Sequence, residues 1–495
     1  MIRKKELPEQ QEFWVARQKI RAGKTKGFYD KLSRDLDKEG FGGFVRELCA
    51  PYYSENSVGR PPIDPEVYFK MLFVGFYENI GSERGIASRC EDSISVRAFL
   101  CYDITEAAPD HSSLSVIRER LPLEVYHEVF AFSLRPLRRA GLLKGENLGM
   151  DSSITEANAS LEKLTSREDG KTYREYVGEL AAEAEGIDPE DTEAVARFDR
   201  KRKGRKTSNQ DWYSPNDPDA KIGPRKDGAW DMIHKIENVV DLDSGAILSV
   251  EVQDATKADA EGMAEHFETA AQMVDYTDGQ LEKADEEGEP ENQSEEDEQQ
   301  ATIRAAADKG YHKNEELARL TEAGIEPVVS CPHGRKSPVK NQRHKQAYET
   351  NEANRKSETG KEQLGQRAEK VERSFRHLLD YGRVRRATLT GHNRIAKRTL
   401  ISAFAFNLSI YSWHVNGYGT AKQYAAGNRN LEALLGLFGL KKLLKTGYEA
   451  VKKLRIVLWM KNRLSKAKIG LSGKCRRIGN PTQFRLRNRV FSTVS

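Results

Sequence analysis

Cysteine is scarce and scattered. Cys49, Cys90, Cys101, Cys331 and Cys475 stand singly, with no Cys-x-x-Cys pair among them. That excludes a disulfide framework and a thiolate zinc site and fits a reducing cytosol. Long apolar runs are also missing. The first residues, MIRKKELPEQQEFW, hold no apolar signal core. The best apolar stretch, LISAFAFNLSIYSW (400–413), contains Asn407 and falls short of the roughly 20 residues that a bilayer span needs. No membrane partner is expected, and the protein is expected in the cytoplasm. Acid is lacking in one place only: residues 441–495 carry 16 Lys and Arg against the single acid Glu449. The other 440 residues hold 64 bases and 75 acids, so a net charge of +4 hides a basic arm on an acidic body. Such an arm usually meets phosphate, on nucleic acid or at an anionic surface.

With 495 residues, 38% hydrophobic and 32% charged, the chain can bury several cores, and its length suggests about three domains. Residues 1–140 read as helical. In IDPEVYFKMLFVGFYENI (63–80), Asp64 is an N-cap, Pro65 takes the first helical position, and apolar residues run almost all the way round. SERGIASRCE and DHSSLSVIRERL add short helices with Ser or Asp starts. From residue 146 the pattern turns to strands. ENLGMDSSIT reads as one strand, and MIHKIENVVDLDSGAILSVEVQ (232–253) as a hairpin turning at Asp243, Ser244 and Gly245. TIRAAADKGY reads as a buried strand ending at Asp308, followed by helix NEELARLTEAG, stopped at Gly324, and strand IEPVVS. Strands followed by alternating helix and strand predict a mixed α/β sheet with helices on its faces. Two polar stretches interrupt it: 160–228, with the basic run RKRKGRK (200–206), and 262–300, whose residues 281–300 hold ten acids and one lysine and read as a disordered loop.

Asp151 and Asp308 each stand where an apolar run ends, so a mixed sheet places both at one edge of its strands. For a lone Asp the ordinary role there is to end a strand or cap a helix; partners are needed to make it chemical. A third carboxylate, Glu372, lies in the helical stretch KEQLGQRAEKVERSFRHLLDYG beside the stripe Val371, Phe375, Leu378 and Leu379. On spacing alone Glu372 also suits a surface ion pair, as Glu369 does with Arg373. Three carboxylates together repel one another unless cations neutralise them, and hard divalent ions such as Mg2+ do so through oxygen ligands. Two such ions support in-line attack on a phosphodiester. Tyr311 reads as a packing aromatic, and His234, His377 and His392 lack metal-ligand spacing.

The chain resembles the DDE transposases of bacterial insertion sequences, in the group called "five-like" and most closely the "eleven eighty-two" type. The segment from GRPPIDPEVYFKML to VIRERL (59–121) resembles that group's helical N-terminal domain. MDSSITEANAS resembles the first catalytic motif, NDPDA and HKIENVVDLDSGAILSVEV the following strands, ADKGY the second motif, and VERSFRHLLDYGRVRRATLTGHNRIAKR with FNL the third. The resemblance implies an RNase H-like core with a mixed five-stranded sheet. The implied domains are a helical DNA-binding domain (1–140), a catalytic domain (141–415) with insertions at 160–228 and 262–300, and a basic C-terminal arm (416–495). It implies that Asp151, Asp308 and Glu372 bind catalytic Mg2+, which Mn2+ can replace. The implied partners are double-stranded DNA with terminal inverted repeats, target DNA, and a second copy of the chain in a homodimer or higher oligomer, acting at the nucleoid. The group's third signature places Tyr, Arg, Glu and Lys at fixed spacing. Here Gly365 stands at the Tyr position, Ala368 at the Arg position with Arg367 one place earlier, and Leu379 at the Lys position. Arg367, Arg373, Arg376, Arg383, Arg385 and Arg386, with Lys201, Arg202 and Lys203, are the candidate phosphate contacts. A tyrosine recombinase is disfavoured, because no tyrosine follows Tyr448. A domesticated or inactive transposase that only binds DNA is the alternative.

Overall fold

The computed structural model describes residues 23, 25–53, 61–203, 207–225, 227–286, 302–334, 337 and 341–425. The basic arm at 441–495, the acidic stretch beyond 286 and the end of the RKRKGRK run (204–206) lie outside the described residues.

Among the described residues, eight α-helices come first: α1 (Lys26–Lys38), α2 (Phe41–Cys49), α3 (Pro65–Tyr77), α4 (Glu83–Asp92), α5 (Ile94–Phe99), α6 (His111–Arg120), α7 (Leu123–Phe132) and α8 (Arg135–Arg139). Their starts are set locally. The Asp64 side chain accepts the Glu66 N–H, Ser82 that of Gly85, and Asp110 those of Ser112 and Ser113, each satisfying a donor that the first helical turn leaves open. As the all-round apolar pattern predicts, α3 buries nine of its 13 residues.

The rest alternates strands and helices: β1 (Asn147–Glu156), β2 (Thr165–Ser166), α9 (Tyr173–Glu185), α10 (Thr192–Lys201), β3 (Trp212–Tyr213), β4 (Lys221–Pro224), β5 (Trp230–Asp241) and β6 (Ile247–Gln253). Then follow α11 (Met263–Glu286), β7 (Arg304–Ala307), α12 (Asn314–Glu322), β8 (Glu326–Val329), α13 (Gln342–Lys356), α14 (Glu358–Arg376), α15 (His392–Asn416) and α16 (Ala421–Ala425). The main sheet runs β4-β5-β1-β7-β8, with β6 also paired to β5. Strands β5, β6 and β4 are antiparallel to their neighbours, whereas β1, β7 and β8 are parallel. The sheet therefore has six strands in five positions, because β4 and β6 share one edge of the long β5. Strand β4 comes from the polar stretch 160–228, which is folded: β2 pairs with β3, and Trp212 packs edge-on against Tyr173 and Tyr176.

Each face of the sheet has its own core. On one, Leu148, Met150 and Val239 meet Met263, Ala264 and Phe267 of α11 and Leu317 of α12. Residues 263–286 are thus a covering helix of the sheet, in a stretch expected to interrupt it. On the other face, Ile236, Val240 and Leu242 join Val371 and Phe375 of α14, the α15 residues Ile401 and Phe404, and the aromatic interior of α1–α7 in one continuous cluster. The helical segment is therefore fused to the sheet through α15. Strand β7, Arg-Ala-Ala-Ala, is buried on both faces, and its small side chains let both layers approach.

Two asparagines close the sheet edges. Asn407 Oδ1 accepts the Ile247 N–H at 2.9 Å while its Nδ2 donates to Ile247 O at 2.9 Å. Asn351 does the same for Val329, at 2.7 and 3.0 Å. Each carboxamide, fully buried, mimics the missing neighbouring strand where an unpaired edge would be costly.

Candidate active site

Strand β1 outruns β7. The two pair only from Asn147↔Arg304 to Gly149↔Ala306, whereas β1 stays paired with β5 as far as Glu156. Asp151 therefore lies in mid-strand, not at a strand end as the sequence suggested. It acquires an open side because β7 stops, and Asp308 is the first residue after β7. The two carboxylates are brought together there. Asp308 Oδ1 accepts the Gly310 N–H at 2.6 Å and opens a tight 3-10 turn, Lys309–Tyr311. A Cβ on Gly310 would stand 3.0 Å from Asp308 Oδ1 and 3.4 Å from Asp259 Oδ2, so this turn fits glycine.

Asp151 Oδ1 accepts the Ser152 N–H at 2.8 Å, and Oδ2 accepts from Arg367 Nη1 at 2.9 Å. Its carboxyl pKa is raised. Burial is the largest cause and the negative charge of Asp308 adds to it, while the Ser152 N–H and Arg367 pull the other way. The LGM run explains how Arg367 gets there. A Cβ on Gly149 would meet Leu242 Cδ2 at 2.6 Å and Arg367 Cγ at 3.1 Å, so a glycine on β1 is what lets α14 lie this close. Farther along the helix, Asn238 Nδ2 donates to Ser374 Oγ at 2.7 Å, and Asn238 is the β5 partner of Asp151. Thus α14 is pinned on both sides of the acid.

Glu372 is exposed. It lies five residues beyond Arg367, about 140° further round the helix, and no contact joins it to Asp151 or Asp308. Among the described residues, no group of three His, Cys, Asp or Glu side chains is placed to hold a metal ion. The structure thus assembles two of the three expected acids, and a guanidinium sits on Asp151. Carboxylate oxygens are the donors that a hard divalent cation takes, but two carboxylates, one of them paired with Arg367, do not by themselves complete such a site.

A network that the sequence did not announce flanks the pair on the opposite face of the sheet. Lys235 Nζ bridges Glu237 and Asp259, each at 2.8 Å, and His266 Nε2 lies 2.8 Å from Glu237. Glu237 is 1% exposed. Asp259 accepts from Ser152 Oγ at 3.2 Å, which links the network to the residue after Asp151. Alternation in HKIEN was the available signal: Lys235 and Glu237 share a face of β5 that should be apolar. Tyr311 is 1% exposed, the packing aromatic that was expected, and burial raises its hydroxyl pKa.

The candidate phosphate contacts are dispersed. Arg373 is exposed beside the β5–β6 turn, near Gly245, and Arg376 lines a surface hollow with Asp380 and Asn79. Arg383, at φ +56°, donates to Asn79 O, and Arg385 pairs with Asp380 at 2.6 Å. Arg386 is exposed. Arg202 pairs with Asp199 at 3.2 Å and lies over the Tyr176 ring, while Lys201 and Lys203 are exposed. Thr155, Glu156 and Asn158 reach far along the chain: Thr155 Oγ1 donates to Val384 O, Glu156 N to Arg385 O at 2.9 Å and Asn158 Nδ2 to Thr388 O at 3.2 Å. The segment after α14 is thereby laid alongside β1. NDPDA fixes its far end. Asp217 accepts the Gly391 N–H at 3.0 Å and lies 2.9 Å from His234 Nε2, and Asp219 accepts the His392 N–H at 3.0 Å.

A mixed sheet of this order, covered by helices on both faces and preceded by a helical region, is consistent with the RNase H-like core of DDE transposases. Residues 203–408 match the family model of the transposase DDE domain, a stretch that includes Asp308 and Glu372 and starts after Asp151. Residues 15–120 match the transposase domain DUF772. Together the two matches support an insertion-sequence transposase. No curated protein and no solved structure matches the chain. Among the described residues, no helix is long and apolar enough to cross a membrane.

Proposed function

We propose that the protein is a metal-dependent DDE transposase, of the "five-like" group and the "eleven eighty-two" type. It cuts DNA at the ends of an insertion sequence and joins the freed ends to a target. The observation that carries this reading is the acid pair Asp151 and Asp308 where β7 stops and β1 continues. In the first step water attacks the phosphorus at the element end and the bond to the 3′-oxygen breaks, leaving a 3′-hydroxyl and a 5′-phosphate. In the second, that hydroxyl attacks a target phosphodiester and displaces its 3′-oxygen. Asp151, Asp308 and Glu372 would hold the Mg2+ ions, with Mn2+ able to substitute. When bound, these ions supply Lewis acidity at the nucleophilic and leaving oxygens. The chain's own contribution is to hold Asp151 and Asp308 rigidly through the Ser152 and Gly310 N–H groups. DNA with terminal inverted repeats and target DNA are the substrates, handled by a homodimer or higher oligomer at the nucleoid.

The test is Mg2+-dependent cleavage of duplexes carrying the DNA that flanks the gene. Asp151→Asn and Asp308→Asn should each abolish cleavage while the fold and DNA binding persist; normal cleavage by either variant would refute the assignment. One observation favours a second reading, a transposase derivative that binds DNA without cutting it: among the described residues, the third acid is not brought to the pair. Cleavage by the native protein would refute that reading.

A further inference from the structure

A cleft of about 1000 Å3 opens where the folded insertion meets the segment after α14, and the proposed chemistry does not use it. One wall is the chain leaving β1, from Ala157 to Lys163. The second is Thr172 and Arg174 at the start of α9, and the third is Ser214 to Asn216 with Arg386. The lining is rich in hydroxyls, carboxamides and charge, unlike the largely apolar pockets that take small organic ligands.

Three cations, Lys163, Arg174 and Arg386, point to its use. All are exposed, on separate walls, and each stands on an anchored element. Lys163 ends a 3-10 turn capped by Ser160. Arg174 is in the first turn of α9, which Thr172 and Glu175 close with a reciprocal capping box. Arg386 is held by a β-bridge to Glu156, with the Ala387 N–H donating to Glu156 O at 2.8 Å. Glu162 also lines the cleft and is its one acidic side chain. Anchoring their backbones removes main-chain freedom that binding a polyanion would otherwise cost. Position completes the argument. The path along β1 from Asp151 to Glu156, the bridge partner of Arg386, is five residues, roughly 17 Å, which equals about five base-pair steps of DNA at 3.4 Å each.

We propose that this cleft, through Lys163, Arg174 and Arg386, binds the sugar–phosphate backbone of the DNA duplex about five base pairs from the phosphate being cut. The inference rests on the reading of the protein as a DNA-cutting transposase. The same chemistry belongs to element-end DNA and to target DNA, so the assay needs both.

Affinity of the full chain for an element-end duplex and for an unrelated duplex is measured against salt concentration. The native protein is compared with a triple variant, Lys163→Gln, Arg174→Gln, Arg386→Gln. A charge control carries Lys38→Gln, Lys283→Gln and Lys356→Gln, three exposed lysines elsewhere. Each phosphate contact contributes about 0.9 to the slope of log affinity against log salt. The cleft variant should therefore lose about 2 to 3 from the slope, on the end duplex alone if the cleft holds element DNA, on both if it holds target. The control should keep the native slope. An unchanged slope in the cleft variant, or an equal loss in the control, overturns the proposal. If the native protein cuts end DNA while the cleft variant keeps its slope, only the cleft assignment falls. A native protein that neither binds nor cuts DNA removes both.

Discussion

Arg367→Gln is the sharpest probe of the acid pair, because the proposed divalent cation would compete with the guanidinium for the same oxygen of Asp151. The Arg367 side chain is 14% exposed and that of Asp151 is 39% exposed, with 2.9 Å between Nη1 and Oδ2. A charged hydrogen bond of this kind is worth up to about 3 kcal/mol when shielded, and exposure of the carboxylate reduces that to about 1 kcal/mol. A metal ion that displaces the arginine must overcome this amount. Removing the arginine should therefore tighten Mn2+ binding by about 5-fold and lower metal-free stability by about 1 kcal/mol. Calorimetric titration with Mn2+ and urea unfolding with and without the metal read both effects. The pH dependence follows from the raised pKa of Asp151. Protons compete with metal from a higher pH than for an ordinary aspartate, and loss of the arginine's positive charge raises that pKa further. Mn2+ affinity should thus fall as pH drops through the raised value, beginning at a higher pH in Arg367→Gln. If Arg367→Gln weakens Mn2+ binding as Asp151→Asn does, the arginine is not a competitor and the reasoning fails.

Other perturbations test the scaffold. Asn407→Leu leaves the N–H and C=O of Ile247 buried without partners and should cost about 3 kcal/mol in urea unfolding; a loss below 1 kcal/mol would mean that the edge is satisfied otherwise. Lys235→Met strands Glu237 with His266 alone and should destabilise by about 3 kcal/mol, most of it recovered in a Lys235→Met, Glu237→Leu double variant. No recovery would show that the lysine acts through packing. His377 is pushed down to about 4 by burial, with Arg373 and Arg376 adding to it. It folds neutral while the unfolded chain takes up a proton below about 6.5. Its contribution to stability is thus full above that pH and falls away as the pH drops toward 4. His377→Phe should flatten the decline in unfolding free energy between pH 6.5 and 4.5, and an unchanged slope would assign the decline to other groups.

Much of the fold was legible because the local signals agree with the global arrangement. The β5–β6 hairpin turns at Asp243–Gly245 as its turn residues demand, with Gly245 at φ +81°. Strand β7 and helix α12 follow Ala-rich and amphipathic runs. What could not be read was anything that depends on which strand outruns which. Asp151 looks like a strand terminus because hydrophobicity falls after Met150, yet β1 continues to Glu156. Its later residues are polar because their partners, the 384–388 backbone, are polar. The polar stretch 160–228 was equally opaque: its clusters around Trp212 and Val177 are small, so no long apolar period marks them.

The site divides along the same line. Asp151 and Asp308 were legible as neighbours because each follows an apolar run, and the parallel strands β1 and β7 lay those runs side by side. Glu372 depends on the rotation of a helix, which no strand register fixes. The Gly149 approach, the Asn238–Ser374 bond and the Arg367–Asp151 pair together set α14 with residues 363, 367, 371 and 374 toward the sheet. Glu372 then points well away from that face. Bringing it to the acids needs α14 to turn or slide, and the five-residue π turn His377–Tyr381 at its end is an irregularity of the kind that lets a helix change phase. Of these contacts, only the arginine's is one that a divalent cation would break by binding Asp151. Displacing Arg367 would therefore remove one of the contacts that fix the rotation of α14, and with it part of what sets the position of Glu372.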